Sequence, residues 1–223
     1  MIKVGAITIG QSPRNDVTPD IIPILGENIE LIQAGGLDGL TRDQIEKFSP
    51  SEGDYILVSK LNDGTSVRFA EKHILPRLQQ CIYDLEEKGA ELILFLCTGD
   101  FPDIFKSRVP LIFPCHVLNA LVPVLSSKSK IAVVTPDKSQ VMQCENKWKN
   151  YVKEVTAVPA SPYADNKELG EAAKIIKDLD VDVVVMDCIG YTEEMKQKLR
   201  SASGKSIILS RTIVARAVRE MLD

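Results

Sequence analysis

Short apolar runs rich in Val and Ile punctuate the chain, each bounded by Gly, Pro, Asp or Ser: KVGAITIG (3–10), IELIQAG (29–35), ELILFLC (91–97), KIAVVTP (130–136), VTAVPA (155–160), DVVVMDC (182–188) and SIILS (206–210). Their hydrophobicity is continuous rather than alternating, which predicts strands covered on both faces. Between them apolar residues recur at helical spacing, as in Ile74, Leu75, Leu78, Ile82 and Leu85, and again in Leu169, Ala172, Ala173, Ile176 and Leu179. Strand and helix alternate, so the pattern predicts an α/β chain with mainly parallel sheets. One stretch departs from it. Tyr55–Ser59 and Ser66–Phe69 read as two strands about an Asp63-Gly64 turn, which predicts a hairpin inserted near 55–69.

The pattern repeats. Displacing the chain by 91 residues against itself aligns Glu91 with Asp182, Leu92–Leu96 with Val183–Asp187, Cys97 with Cys188 and Gly99 with Gly190. Upstream, Leu78, Ile82 and Leu85 fall on Leu169, Ala173 and Ile176, and Lys3–Thr8 resembles Lys130–Thr135 at a different offset, as an insertion in the first half requires. Two similar αβα lobes are the simplest account. Lobes of this kind usually face each other across a cleft, with ligands held at the carboxyl ends of the strands.

Composition narrows the function classes. The 223 residues are 44% hydrophobic and 26% charged with a net charge of −4, values of an ordinary globular protein rather than a disordered or coiled-coil one. No apolar run approaches the ~20 residues of a membrane helix, and the start, MIKVGAITIGQS, lacks the layout of a signal peptide, so a cytoplasmic protein without membrane contacts is expected. The acidic balance and absence of Lys/Arg clusters argue against nucleic acid as a partner. Five scattered cysteines with no CxxC, and only two histidines, fit neither a disulfide framework nor a metal site.

Cys97 and Cys188 therefore stand out. Each closes a buried strand and is followed within two residues by a glycine, Gly99 or Gly190. A thiol at such a strand end lies near the positive end of a following helix, which lowers its pKa from about 8.5. Cysteine is also a common small core residue, and packing inherited from a duplicated ancestor would give the same pattern. Cys81 and Cys144 lie in helical segments and read as structural. The adjacent pair Cys115-His116 does not face one ligand on a helix.

Around the thiols, the loop Gly10-Gln11-Ser12-Pro13-Arg14 offers an amide, a hydroxyl, a guanidinium and backbone N–H groups to a carboxylate or phosphate. Ser12 or Asp16 capping a helix with Pro13 in its first turn explains the same residues. Thr135 occupies the corresponding loop of the second half, and Arg211 and Thr212 follow the last strand. Arg211 there is suited to clamping a second acidic group, to capping a helix or to a surface ion pair. Gly35-Gly36-Leu37-Asp38-Gly39 lacks the Walker lysine and the GxGxxG spacing and reads as a turn.

One cysteine per lobe, each followed by Thr98-Gly99 or Ile189-Gly190, resembles the aspartate/glutamate racemase superfamily. More narrowly, Thr8–Arg14, Ala34–Thr41, Leu96–Phe101, Ser161–Tyr163, Asp187–Thr192 and Ser210–Arg216 resemble the AroM family over essentially the whole chain. The resemblance implies two pseudo-symmetric lobes: 1–125 together with a returning C-terminal helix 209–223, and 126–208. In racemases of the superfamily, one thiolate removes an acidic proton and the opposite thiol returns one to the other face, with no cofactor; relatives decarboxylate or isomerise small diacids. The AroM family is named for its association with aromatic amino acid biosynthesis. Cys97 and Cys188 are thus the expected catalytic pair, and Gly10, Gln11, Ser12, Arg14, Thr98, Gly99, Thr135, Gly190, Tyr191, Thr192, Arg211 and Thr212 the expected binding residues. The partner is a small carboxylate or other small anion, with a homodimer left open. Followers unlike those of amino acid racemases, with no polar residue directly after Cys188, weigh against an amino acid substrate, although Asp187, Tyr191 and Thr192 are placed to orient another ligand. A metabolite sensor that keeps the site without chemistry is the alternative.

Overall fold

A computed structural model describes residues 1–164 and 166–222. The chain divides into two compact units, Met1–Pro114 with the chain from Val218 on, and Cys115–Ala217.

The first unit runs β1 (Ile2–Thr8), α1 (Thr18–Leu25), β2 (Ile29–Gly35), α2 (Arg42–Glu46), β3 (Ile56–Lys60), β4 (Ser66–Ala70), α3 (Leu75–Glu87), β5 (Leu92–Phe95) and β6 (Leu111–Ile112). Its main sheet has the order β2-β1-β5-β6, with every pairing parallel. The continuous apolar runs at 3–10 and 91–97 become its inner strands, β1 and β5, with β5 buried along its whole length, whereas the run at 29–35 becomes the edge strand β2. Leu78, Ile82 and Leu85 of α3 are fully buried among Ile7, Ile93 and Phe95, each worth about 1.5–3 kcal/mol of transfer free energy. The expected hairpin is β3 and β4, antiparallel, with Gly64 at φ 88° in the turn between them. Leu61 N donates to Thr65 O at 2.8 Å and Gly64 N to Leu61 O at 2.9 Å, the pattern of a three-residue loop with glycine at its left-handed position.

The second unit starts within α4 (Pro114–Leu125) and continues β7 (Lys130–Thr135), α5 (Val141–Trp148), β8 (Glu154–Pro159), α6 (Asn166–Lys177), β9 (Val183–Met186), α7 (Glu193–Ser203), β10 (Ser206–Leu209) and α8 (Ser210–Glu220). Its sheet order, β10-β9-β7-β8, is that of the first unit read from the other edge, again all parallel. The register repeats as well. Lys3 faces Glu30 as Lys130 faces Glu154, and Val4 faces Leu92 as Ile131 faces Val183.

The boundaries differ from the 125/126 division and the 209–223 return expected from the sequence. Leu118 and Val122 of α4 are fully buried in a cluster with Ile131, Val133 and Trp148, so that helix packs with the second unit. Ile213 of α8 packs against the same cluster, and only the chain from Val218 on groups with the first unit, where the Arg219 guanidinium donates to Leu25 O. Among the described residues no helix is long and apolar enough to cross a membrane.

Candidate active site

The candidate residues cluster at the carboxyl ends of the two parallel sheets, where backbone groups no longer pair along the ladder. β1 and β5 are neighbours in the first unit, so the loop after β1 and the Cys97 loop emerge side by side; Leu96 N still donates to Ile7 O at 2.6 Å. In the second unit the equivalent bond runs from Asp187 N to Val134 O at 3.0 Å, and Cys188 follows. Beyond these bonds each chain turns so that a glycine N–H points back at the cysteine sulfur. Gly99 N lies 3.3 Å from Cys97 Sγ, and Gly190 N lies 3.3 Å from Cys188 Sγ. These two thiols are partly exposed, whereas Cys81, Cys115 and Cys144 are buried. Burial pushes the Cys81 thiol up to about 11 and raises that of Cys144 further, which marks both as inert core residues.

In the first unit Thr98 is buried beside Cys97. Gly10 is buried and donates to Thr8 Oγ1 at 3.2 Å, while Gln11 Oε1 accepts from Asn62 N at 2.9 Å, tying the loop to the hairpin. Ser12 does not cap a helix: α1 begins at Thr18 with Val17 as N-cap and no side-chain cap bond. Its N–H and hydroxyl instead donate to Asp38, at 2.7 and 2.6 Å, and Gly35 N donates to the same carboxylate at 2.8 Å. A Cβ on Gly35 would stand 2.6 Å from Asp38 Oδ1, Gly10 O and Ser12 N, so glycine is required where these loops meet. Asp38 was legible only as a turn residue; its short acceptor side chain suits that role.

Arg14 is not the open anion clamp that the sequence suggests. It is 3% exposed, and its Nε and Nη2 donate to the two oxygens of Asp16 at 2.7 and 2.8 Å, with Thr8 Oγ1 3.3 Å from Nη1. Burial works against the Asp16 carboxylate, yet the Arg14 hydrogen bonds and charge hold it below the usual range.

In the second unit, several expected binding residues support the Cys188 turn from inside. Arg211 is 1% exposed, with Nε donating to Ile189 O at 2.8 Å and Nη2 to Gly190 O at 2.9 Å; these carbonyls draw the guanidinium inward, away from a role as surface clamp. Ser210 Oγ donates to Cys188 O at 2.8 Å. Tyr191 is fully buried and donates to Ala160 O at 2.6 Å, burial raising its pKa well above the usual phenol value. Thr192 caps α7, accepting from Met195 N at 3.2 Å. Thr135 and Thr212 are buried, and Thr212 Oγ1 donates to Leu209 O at 3.3 Å.

Two further contacts at this turn are set by the fold. A Cβ on Gly190 would lie 2.6 Å from the Tyr163 hydroxyl and 2.8 Å from Pro162 Cγ, so the loop after β8 brings a phenol against the Cys188 turn. Beneath that turn, Asp187 Oδ2 accepts from Lys147 Nζ at 2.9 Å and Trp148 Nε1 at 2.8 Å, with Lys147 and Asp187 side chains each 6% exposed. Asp187 is therefore an internal anchor of the strand end.

Glu71 adds a titrating group near the first cysteine loop. It follows β4, its N–H donates to Tyr55 O at 3.0 Å, and Tyr55 Oη accepts from Asp100 N at 3.0 Å. Its Oε1 is buried without a hydrogen-bond partner, and burial, with the negative charge of Asp100 added, pushes its carboxyl up to about 7. A carboxyl raised in the folded state binds its proton more tightly than the unfolded chain does. Its contribution to stability is full below the unfolded value near 4.5 and is lost as pH rises through about 7. At about 1.4 kcal/mol per pH unit, discounted for the partly exposed side chain, the expected loss is about 1–2 kcal/mol. Urea unfolding at pH 5 and pH 8 checks this: Glu71→Gln should flatten the difference, and an unchanged difference would contradict it.

The fold is similar to that of aspartate/glutamate racemase-like proteins. Allantoin racemase from Klebsiella pneumoniae matches with a TM-score of 0.65 at 14% identity, covering 100% of this chain and 88% of that one. Nocardia farcinica maleate cis-trans isomerase, bound to Tris, matches with 0.65 at 12% identity, covering 100% and 93%. Picrophilus torridus aspartate racemase matches with 0.62 at 12% identity, covering 99% and 94%. No curated protein sequence matches the chain. The family model described as AroM protein matches residues 4–222, and the chain belongs to the AroM family.

Proposed function

We propose that this protein is a cofactor-independent isomerase or racemase acting on a small carboxylic acid, with Cys97 and Cys188 as its paired acid and base. The observation that carries the reading is the repeated cysteine turn: the two partly exposed thiols stand at equivalent strand ends, each with a glycine N–H 3.3 Å from sulfur. An N–H directed at sulfur stabilises a thiolate more than a thiol. In the proposed step one thiolate takes the proton from the carbon next to the carboxylate, and the carbanion is protonated on its opposite face by the other thiol. The proton count is unchanged, and the two sulfurs exchange protonation states. The likeness to racemases and a cis-trans isomerase supports this class of chemistry.

Native alkylation with iodoacetamide, read by peptide mass spectrometry, tests the site. Cys97 and Cys188 should react well ahead of the three buried cysteines, and an acid that binds should slow both together. Protection of only one thiol, or uniform labelling of all five, would contradict the pairing. Full retention of acid binding and the lack of any reaction in the unmodified protein would instead describe a sensor.

A further inference from the structure

The loop after β1 and the hairpin tip enclose a recess of about 270 Å³ within the first unit, whose lining includes Arg14, Asn15, Asp16, Lys60, Asn62 and Gly64. Its two cations are not equivalent. Arg14 is neutralised by the two hydrogen bonds to Asp16. Lys60, at the end of β3, has no hydrogen bond or ion pair within 4 Å through its ammonium to any described residue. Its stem runs along the hairpin tip, where a Cβ on Gly64 would be 3.8 Å from Lys60 Cε. The field of Lys60 reaches Asp16 and adds to that of Arg14 in stabilising the carboxylate. Arg14, Asp16 and Lys60 together leave one net positive charge on the wall.

The loop and the hairpin are tied together: Asn62 N donates to Gln11 Oε1 at 2.9 Å and Asn62 Nδ2 to Ser12 O at 3.1 Å. The recess is thus framed by hydrogen-bonded backbone rather than by two independent loops. Its volume is below that of a pocket for a drug-sized ligand and suits one acidic group with the few atoms that carry it.

We propose that this recess is an anion subsite for one acidic group of a small organic acid, and that Lys60, not Arg14, supplies its charge. The proposal rests on the reading of the protein as handling small acids, and it assigns the hairpin a role in choosing among them. Inorganic phosphate and succinate are the probes, titrated separately into the 15N-labelled full chain at constant ionic strength, with the amide resonances of Asn15, Asn62 and Gly64 followed. Saturable shifts confined to these amides are expected. Lys60→Gln should weaken binding at least tenfold and Lys60→Glu should abolish it, while Lys60→Arg restores most of it and shows that the hairpin still folds. The probe that binds more tightly identifies a phosphate or a carboxylate as the preferred group. Linear, unsaturated shifts in the wild type, or equal affinity in Lys60→Gln, would overturn the proposal. Because the titration involves no turnover, its outcome is independent of whether the thiols catalyse anything.

Discussion

Asp187→Ala is expected to destabilise the second unit by about 3–5 kcal/mol, the range for removing one partner of a buried ion pair. The carboxylate accepts from both Lys147 and Trp148, and the Lys147 and Asp187 side chains are nearly closed to water. Its loss leaves a buried ammonium without its carboxylate and an indole N–H without its acceptor, both of which carry desolvation costs. Trp148 is the only tryptophan in the chain and lies in this unit, so its fluorescence during urea unfolding reports the relevant transition. The double variant Lys147→Met, Asp187→Leu removes both ions while keeping apolar volume, and so distinguishes lost ion pairing from lost packing. Much of the lost stability should return there. A loss below about 1 kcal/mol in the single variant would show that the pair is not the anchor of the Cys188 strand end.

The architecture is legible in the sequence to the extent that it rests on local pattern. Leu92–Phe95 and Val183–Met186 are continuous apolar runs, and the 91-residue displacement that aligns them also aligns α3 with α6, because each strand and the helix before it form one packed unit. β6 is too short for any periodicity: it is two residues long and exists because Leu111 and Ile112 pair with Ile93 and Leu94. The unit boundary depends on which core receives Leu118 and Val122, a tertiary choice that the spacing of α4 does not encode.

The site follows the same division. The cysteine turns are local, and sequence reasoning reaches them. Arg14 is paired by Asp16, only two residues along the chain, an ion pair that a list of polar loop residues does not rank above a ligand, whereas Arg211 is held by the carbonyls of Ile189 and Gly190, which the fold brings into range. Glu71 and Lys60 enter the picture through contacts with segments remote in the chain, so no motif announces them, and the phrase Ser161–Tyr163 does not encode that its phenol meets Gly190.

Loss of solvent exchange in the cysteine variants is the other large effect expected. Removal of a proton from carbon by a thiolate, in deuterium oxide, labels the carbon next to the carboxylate whenever the sulfur's proton exchanges with solvent before it is returned. A positioned acid or base typically contributes 10²–10⁴-fold to such a step, and serine, with a far less acidic hydroxyl, cannot replace it. Since one thiol takes the proton and the other gives one back, inversion requires both. The decisive measurement is deuterium incorporation followed by NMR, with a panel of small amino, hydroxy and unsaturated acids and with wild type, Cys97→Ser and Cys188→Ser compared. The account predicts incorporation into at least one acid by the wild type, and inversion or isomerisation lost by at least about 10²-fold in each variant; incorporation that persists undiminished in both variants would contradict it.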